Sequence, residues 1–309
     1  MKPFLLRPVT KDYIWGGTRL REEFGKESDS ERIAESWELS CHPDGECIIA
    51  SGEYSGMKLS EFVRRYPAAV GKNFRSEDRF PVLVKLIDAK SDLSIQVHPD
   101  DKYAMAHEGD SGKTEMWYIL AAAPGAELYV GLRAGVTRES FESAIASGTV
   151  AECFHRISTR AGDCMFLPSG RVHAIGAGHL IAEIQQNSDT TFRVYDWDRK
   201  GLDGKPRALH VAESLECIDF SDTEPGLQRP DGECLVRCPH FTVQLAALGG
   251  GRIWDGGRER AYVFVPVGGR VAAGDREAGP GELFLQPAAA GPLRVRPIDA
   301  SAKVLVTTF

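Results

Sequence analysis

Long apolar runs are missing from this sequence of 309 residues. The N-terminus carries one Lys and a very short apolar run at residues 3–6, so we expect no signal peptide and no transmembrane helix. Long basic runs are missing as well, and the formal net charge is −7, which argues against nucleic acid or an anionic membrane as a partner. A phosphorylated substrate would therefore need a local cationic pocket in an acidic protein.

Cysteines are few and lack the spacing of a metal-binding motif. Cys234 and Cys238 lie four apart without a matching second pair, so a zinc ribbon is not expected. The full set is odd in number and contains no C-x-x-C pair: Cys41, Cys47, Cys153, Cys164, Cys217, Cys234 and Cys238. Free thiols in a reducing compartment explain this pattern most simply, so we expect a cytoplasmic protein.

The sequence also lacks coiled-coil heptads and a long apolar helix, so we expect a monomer or a weak homodimer. Hydrophobic residues make up 42% and charged residues 26%, as is ordinary for a soluble globular protein. The length suffices for two modest domains with a sizeable core.

Short strands at regular spacing, punctuated by Gly and Pro, predict a mainly β fold of the jelly-roll or sandwich type. Residues 1–217 form the expected first domain, the loop-like residues 218–233 a connection, and residues 234–309 a second β domain. Apolar spacing and capping residues predict a few short helices, at residues 18–24, 58–66, 100–107, 137–147 and 208–217.

Four polar side chains in strand contexts predict a metal site. Gln96 and His98 are two apart and so point the same way from a strand. Glu115 begins an apolar run that is typical of the next strand, and the turn at residues 168–170 precedes His173. Nitrogen and oxygen donors of this kind suit zinc, and also iron or manganese. One ligand carboxylate would leave positive charge for a Lewis acid acting on sugar oxygens.

The second domain shows a faint repeat of the first. Residues 281–287 begin with Gly and end with Pro six positions on, as residues 162–168 do. No His follows the second copy, because the last His of the chain is His240. The repeat therefore predicts a second barrel without a metal site, with a role in packing or as one wall of the cleft.

Two groups of residues carry a resemblance to a known superfamily. Gly162, Pro168, Gly170 and His173 match the second motif of the cupins, and residues 96–98 with Glu115 resemble the first. The resemblance implies two cupin-type jelly-roll β-barrel domains with a few short helices.

Longer segments resemble the type I mannose-6-phosphate isomerases, and most closely their short bacterial form. The likeness is strong from about residue 10 to 210 and weak in the tail. It rests on residues 13–17, 34–40, 94–100, 112–117, 168–176 and 186–197.

The resemblance implies a zinc-dependent enzyme that interconverts mannose 6-phosphate and fructose 6-phosphate through a cis-enediol. By this likeness one Zn²⁺ lies in the first domain, and Arg193 is the catalytic arginine. Lys113 and Asp189 match positions proposed to assist proton transfer or ring opening. Ser94 and Arg199 match positions linked to phosphate binding, although the longer relatives have Lys where this chain has Arg199. The implied zinc ligands are Gln96, His98, Glu115 and His173.

The general base stays open at the level of sequence. Lys113 can act as a base when its amine is neutral, which burial and a neighbouring cation both favour. Asp189 and a metal-bound hydroxide are the competitors. Asp189, Thr191, Arg193 and Tyr195 share one strand face if that segment is extended, which would place an acid beside a permanent cation.

Two other functions fit a cupin. A non-haem iron oxygenase also uses two His and a carboxylate, but it needs open coordination positions, and a Gln ligand fills one of them. A non-catalytic sugar-binding cupin would keep the fold and lose the acid, base and oxyanion groups. This chain keeps Lys113, Asp189 and Arg193, which favours the isomerase.

Overall fold

Antiparallel strands dominate the protein, as the Gly and Pro punctuation predicts. The structure is a computed structural model, and it describes residues 1–201, 203–257, 259–288 and 293–309. The strands are β1 (Phe4–Arg7), β2 (Val9–Lys11), β3 (Glu35–Leu39), β4 (Ile48–Ile49), β5 (Val82–Ala89), β6 (Ile95–Val97), β7 (Glu115–Ala122), β8 (Glu127–Leu132), β9 (Phe154–Ser158), β10 (Cys164–Leu167), β11 (His173–Ile175), β12 (His179–Gln186), β13 (Phe192–Tyr195), β14 (Cys234–Arg237), β15 (Thr242–Ala247), β16 (Trp254–Gly256), β17 (Tyr262–Gly268), β18 (Val271–Ala273), β19 (Arg276–Ala278), β20 (Phe284–Gln286), β21 (Leu293–Pro297) and β22 (Lys303–Thr308).

Short α-helices lie where apolar spacing and capping predict them. The segment at 137–147 is confirmed in detail, because Thr137 and Ser140 form a reciprocal capping box at its start. Residues 152–157, whose sequence pattern fits neither a helix nor a strand clearly, divide between a 3₁₀ turn (Val150–Cys153) and strand β9. The helices are α1 (Arg19–Phe24), α2 (Leu59–Arg65), α3 (Asp101–His107), α4 (Arg138–Ser147) and α5 (Val211–Cys217).

Two sheets form the first barrel. One has the strand order β10-β7-β12-β5-β3-β2, and the other has the order β13-β6-β11-β8-β9. Buried side chains from both, including Ile87 and Ile181 on the first and Leu128 and Ile175 on the second, pack into one apolar cluster. Trp15 and Leu93 of this cluster also line a cavity whose other walls are largely polar.

Two further sheets form the second barrel. The larger has the order β14-β15-β22-β17-β20-β1-β4, and the smaller has the order β16-β21-β18-β19. Phe264 and Phe284 from the larger sheet stack with ring centroids 4.6 Å apart and pack with Val271 and Val295 of the smaller. The side chains that pack between these two sheets are therefore mainly apolar.

The repeat of Gly and Pro corresponds to the same turn in both barrels. Gly162 (φ 93°) and Gly281 (φ 91°) both adopt a left-handed conformation that favours glycine, and strands β10 and β20 follow directly. In the tail, however, Pro287 and then Ala288 follow β20, with no His. The next residues of the sequence, 289 and 290, lie outside the described residues.

The N-terminal strand belongs to the sheet of the second barrel. Phe4 pairs with Leu285 of β20, and Leu6 pairs with Ile49 of β4. One large apolar cluster contains Val84 of β5 together with tail residues such as Leu305. The expected boundaries at 217 and 233 stay a proposal, and the pairing places residues 4–7 with the tail.

The structure contains neither a disulfide nor a membrane-spanning helix among its described residues. All seven cysteines are free thiols. Among the described residues, no helix has the length and apolar character needed to cross a bilayer.

Candidate metal centre and its cavity

Three strands of the first barrel bring the predicted metal ligands together. Gln96 lies in β6, and His98 follows that strand directly. Glu115 is the first residue of β7, and His173 the first of β11. His173 lies directly across from Gln96 in the β6–β11 pair, and their Nε2 atoms are 3.5 Å apart. Residues that are far apart in sequence thus converge because their strands are neighbours.

The donor atoms of the two imidazoles and the carboxylate form a tight group. His98 Nε2 lies 3.5 Å from Oε2 of Glu115, and His173 Nε2 lies 3.3 Å from Oε1. All three donors lie within 4.8 Å of one another. Gln96 presents its amide to the same point, and a half-turn of that group exchanges its nitrogen for its oxygen.

Backbone carbonyls fix the orientation of both imidazoles. His98 Nδ1 donates to the carbonyl of Thr190 at 3.0 Å, and His173 Nδ1 donates to that of Arg171 at 2.8 Å. Each ring therefore carries its hydrogen on Nδ1 and turns the lone pair of Nε2 toward the carboxylate. Metal-binding histidines are typically held in this way.

The buried donors fit a divalent cation. His98 Nε2 and both carboxylate oxygens of Glu115 form no hydrogen bond with the described residues. Burial lowers the pKa of His173 to about 3, and burial and then the charge of Lys113 lower the pKa of His98, so both rings are neutral. Burial raises the pKa of Glu115, and a bound cation would offset that cost. Two imidazoles, a carboxylate and an amide are ligands that zinc, iron and manganese accept.

A cavity of about 230 Å³ opens beside these ligands. A larger cleft of about 480 Å³ lies elsewhere, beside Met1 and Asp275, and has none of these metal donors in its walls. The smaller cavity collects most of the predicted site residues, namely Gln96, Lys113, Asp189, Arg193 and Ser94. Gln96 is the predicted metal ligand that lines this cavity, and it does so together with the acid, base and cation candidates.

Arg193 lies against the predicted phosphate contact Ser94. Its Nε donates to Ser94 Oγ at 3.2 Å, and its Nη1 donates to the carbonyl of Ala208 at 2.9 Å. Burial, and then the neighbouring charge of Arg207, lower the pKa of the Arg193 guanidinium. This cation is consequently held in place at the wall of the cavity.

Lys113 and Asp189 lie on different parts of the wall. Nζ of Lys113 is 3.7 Å from Oε2 of Glu115, and only 4% of the residue is exposed. Asp189 follows the bend at Asn187 and Ser188 and is half-buried. Both side chains line the cavity. Either could therefore reach a substrate there, and their acid–base chemistry decides which of them acts as the base.

The expected strand face at residues 189–195 holds only in part. Asp189, Thr191 and Arg193 line the cavity together. Tyr195 does not, because the pairing of β13 with β6 shifts register after Arg193, and its hydroxyl donates to Asp198 at 3.0 Å. An alternating pattern read from sequence could not show this irregularity.

Of the two phosphate contacts that the resemblance implies, Ser94 lines the cavity and Arg199 does not. Nε of Arg199 donates to Asp196 at 3.0 Å, and its Nη1 donates to the carbonyl of Asp92 at 2.5 Å. Arg207 lines the cavity nearby and was not among the candidates from sequence. It follows a turn in which Gly201 N–H donates to the carbonyl of Lys205 at 2.7 Å. Arg207 lies outside the motifs that carry the resemblance, which end at residue 197.

A buried row of charges was also missed, and it reaches the cavity wall, because Lys85 and Glu35 line the cavity. Lys85 lies 3.5 Å from Glu35 and 3.5 Å from Glu183, on the three neighbouring strands β3, β5 and β12. Burial opposes the charge of Lys85, but the two carboxylates outweigh it and raise the pKa. Glu183 in turn accepts a hydrogen bond of 2.8 Å from the indole of Trp117. The sequence signal for this row is a charged residue within an otherwise apolar strand, such as Lys85 in β5.

Comparison with known proteins gives one family. Residues 4–125 match the family model of the phosphomannose isomerase type I catalytic domain. A mannose-6-phosphate isomerase of Streptococcus mutans is 41% identical over 255 residues, covering 81% of this chain and 80% of the relative. The mannose-6-phosphate isomerase ManA of Bacillus subtilis is 44% identical over 257 residues, covering 81% of this chain and 80% of the relative.

Solved structures resemble the whole chain. The crystal structure of the Bacillus subtilis mannose 6-phosphate isomerase superposes with a TM-score of 0.88 at 33% identity, and each chain is covered completely. A mutant phosphomannose isomerase from Salmonella typhimurium superposes with a TM-score of 0.77 at 17% identity, covering 100% of this chain and 99% of that one. The second likeness concerns the fold alone.

Proposed function

The chain belongs to the type I phosphomannose isomerases, and we propose that it interconverts mannose 6-phosphate and fructose 6-phosphate at a zinc centre in its first barrel. Its relatives carry that activity in their names. The observation that supports the proposal most is the buried group of His98, Glu115 and His173 beside a cavity that also holds Arg193. The names of the relatives give the activity alone, and the metal-dependent mechanism is our proposal for this chain.

The reaction needs no external oxidant or reductant. One proton moves from C2 of the open-chain aldose to C1, and one proton moves from O2 to O1, so atoms and electrons balance within the sugar. A cis-enediol or enediolate lies between the two sugars. The protein must therefore provide a base, a positive environment for the developing oxyanion and an anchor for the phosphate.

Gln96, His98, Glu115 and His173 would hold the metal, and zinc is the proposed ion. A zinc ion at this point would supply the positive charge that polarises the sugar oxygens. The neutral imidazoles and their bonds to the carbonyls of residues 171 and 190 keep the ligand atoms in place beforehand. Preorganised charge of this kind costs little reorganisation during the reaction.

Arg193 is the proposed oxyanion partner. Its guanidinium stays protonated at working pH, and its bonds to Ser94 and to the carbonyl of Ala208 hold it at the wall. Ser94 is the proposed phosphate contact at the same wall. Arg199 supports this region through Asp196 and contacts the phosphate only if it moves from its present position.

Lys113 and Asp189 are the proposed proton carriers. Lys113 lies beside Glu115 and suits a role in moving a proton between the sugar oxygens, close to the metal ligands. Asp189 lines the cavity next to Thr191 and suits the transfer between C1 and C2. Replacing each in turn by Met or Asn and following exchange of the C2 hydrogen with solvent would distinguish these assignments.

The isomerase proposal is tested with one coupled assay. Purified protein is assayed for interconversion of mannose 6-phosphate and fructose 6-phosphate before chelation, after chelation and after zinc is added back. We expect activity to vanish with the chelator and to return with zinc. An inactive metal-replete protein, with other hexose phosphates also inert, would exclude the isomerase, and oxygen uptake with iron would then be measured. The cytoplasmic location and the monomer or weak homodimer belong to the same proposal.

A further inference from the structure

Residues 208–210 cover the free edge of strand β13, which is the outermost strand of its sheet. Hydrogen bonds join this segment to Arg193 at each end. The Arg193 guanidinium donates to the carbonyl of Ala208 at 2.9 Å, and the Arg193 carbonyl accepts from the backbone N–H of His210 at 2.8 Å. The backbone N–H of Arg193 donates to Nδ1 of the His210 ring at 3.3 Å. His210 is therefore held beside Arg193 through both its backbone and its ring.

The contact with Arg193 determines which ring nitrogen of His210 carries the hydrogen. Because Nδ1 accepts a hydrogen bond, the neutral ring carries its hydrogen on Nε2. Nε2 forms no hydrogen bond with the described residues and is not an enclosed atom, so its N–H is open to the spaces that the residue lines. His210 thus presents one neutral, oriented donor that nothing in the described part of the chain uses.

His210 lies between two cavities. One is the cavity of about 230 Å³ that Gln96 lines, and the other is a wider cleft of about 470 Å³. Asp189, Thr191 and His210 line both of them. A ligand that lies against Asp189 in the smaller cavity therefore also meets the wall that His210 forms.

We propose that the Nε2–H of His210 donates a hydrogen bond to a hydroxyl of the sugar chain, on C3 or C4, and so contributes to the selection of the hexose. The inference rests on the proposed function, because it takes a hexose phosphate as the ligand. In that function Arg193 and the metal centre are assigned to O1 and O2, so the hydroxyls on C3 and C4 remain for a donor in the adjoining wall. A site that donates to a substrate hydroxyl rejects an analogue without it, since the buried donor is then left unpaired.

The same contact with Arg193 excludes His210 as a carrier of protons. Loss of the Nε2 hydrogen would leave an imidazolate anion, and a second hydrogen on Nδ1 would remove the acceptor of the Arg193 N–H. His210 therefore binds and orients the sugar chain. Lys113 and Asp189 stay the candidates for proton transfer.

Two substitutions separate the Nε2 donor from the contact with Arg193. His210→Asn can place an oxygen where Nδ1 lies and has no donor at the place of Nε2, whereas His210→Gln can place an N–H near Nε2 and has no acceptor at Nδ1. We expect His210→Asn to raise KM for mannose 6-phosphate about 3- to 10-fold with little change in kcat, because one neutral hydrogen bond to the bound sugar is lost. His210→Gln should recover most of this loss. Thermal unfolding checks that each variant is folded.

Substrate analogues identify the hydroxyl that His210 contacts. The 3-deoxy and 4-deoxy forms of mannose 6-phosphate are assayed with wild type and with His210→Asn. Wild type should lose a similar factor with one of the two analogues, and His210→Asn should lose nothing further with that analogue, because the partner of the hydroxyl is already missing. Inorganic phosphate should inhibit both proteins equally, since the contact is to the sugar. The matched control is His155→Asn, at a half-buried position of β9, which should keep wild-type kinetics.

Other results would overturn the assignment while the wild type stays an active isomerase. If His210→Asn behaves as wild type and His210→Gln is impaired, the ring only holds Arg193 in place. If both analogues lose the same factor with His210→Asn as with wild type, the ring contacts neither hydroxyl. A weaker inhibition of His210→Asn by inorganic phosphate would assign the donor to the phosphate group. A wild type that is inert with mannose 6-phosphate would instead overturn the proposed function, and this inference with it, so the two failures are distinguishable.

Discussion

Oε1 of Glu115 lies 3.3 Å from Nε2 of His173, and both side chains are 1% exposed. The edge of the Trp117 ring covers the imidazole from one side, with centroids 5.3 Å apart. Lys113 approaches the carboxylate from the cavity. Because a buried carboxylate is costly without a cation beside it, this contact makes Glu115 the most sensitive position of the centre.

Glu115→Gln should abolish metal binding. The change keeps the shape of the side chain and removes the anionic ligand, so we expect metal affinity to fall by at least about 100-fold, the upper end of what loss of a supporting contact costs. Metal content measured by elemental analysis should drop from one ion per chain to nearly none, and isomerase activity should drop with it. Glu127→Gln, at the half-buried first residue of β8, is the matched control. Full metal content in Glu115→Gln would remove this residue from the ligand set.

Arg193→Ala should affect turnover more than binding. A positioned donor at a developing oxyanion contributes about 10²–10³-fold to kcat, so we expect a loss of that size with a smaller change in KM. Arg193→Lys should recover little, because Lys cannot reproduce the bonds to Ser94 and Ala208 together. Arg156→Ala, in the same five-stranded sheet, should keep wild-type kinetics. A change confined to KM would instead indicate a role in substrate binding.

Chelation should lower the stability of the folded protein. An ion that binds only the native state adds about 2.7 kcal/mol when its concentration is 100 times Kd. Thermal unfolding with zinc, with chelator and after zinc is restored should show a reversible decrease in Tm. The double variant of His98 and His173 to Ala should show no response to chelator. An equal response in that variant would mean that the stabilising ion binds elsewhere.

Asp196 should stabilise the fold above its unfolded-state pKa and lose that contribution in acid. Burial opposes ionisation, but the hydrogen bonds and charges of Arg207 and Arg199 outweigh it and lower the pKa. The stability is therefore fully present above about pH 4, the ordinary value for Asp, and is lost as the pH falls through the folded pKa. Asp196→Asn should cost on the order of 2 kcal/mol at pH 7, less than a fully buried pair because the arginines are about one-fifth exposed.

Urea unfolding of both proteins between pH 7 and pH 3 measures this difference. The gap between wild type and Asp196→Asn should narrow toward pH 3, and a gap that stays constant would contradict the ion-pair explanation.

Phe4→Ala should destabilise the second barrel although it lies at the N-terminus. Phe4 is 1% exposed, pairs with Leu285 and packs edge-on against Phe62 with centroids 5.1 Å apart. Removal of a buried Phe typically costs about 3–5 kcal/mol. Met105→Ala, at a residue 63% exposed, should change the free energy of unfolding by less than about 0.5 kcal/mol. Equal effects of the two changes would argue against a structural role for β1 in the tail sheet.

Much of the site could be predicted from sequence because its residues lie in local patterns. Gln96 and His98 alternate along one strand, Glu115 opens a strand, and a Gly-Pro turn precedes His173. Apolar spacing and the capping box likewise predict α4. Lys85 and Glu183 could have been found as charges inside apolar strands. Each of these features depends on residues that are close together in the chain, so the sequence pattern is enough to predict it.

The sequence alone determined the mainly β character and the family likeness. The set of metal ligands and the tail without a metal site stay predictions from the sequence. Only the tertiary structure decided which cations face the cavity. Arg199 and Arg207 bind the same carboxylate, but Arg207, which follows the bridge between Lys200 and Pro206, lines the cavity and Arg199 does not. The structure also paired Phe4 with Leu285, 281 positions away. Both outcomes depend on which distant segments pack together, and the energy of that packing has no local trace in the order of residues.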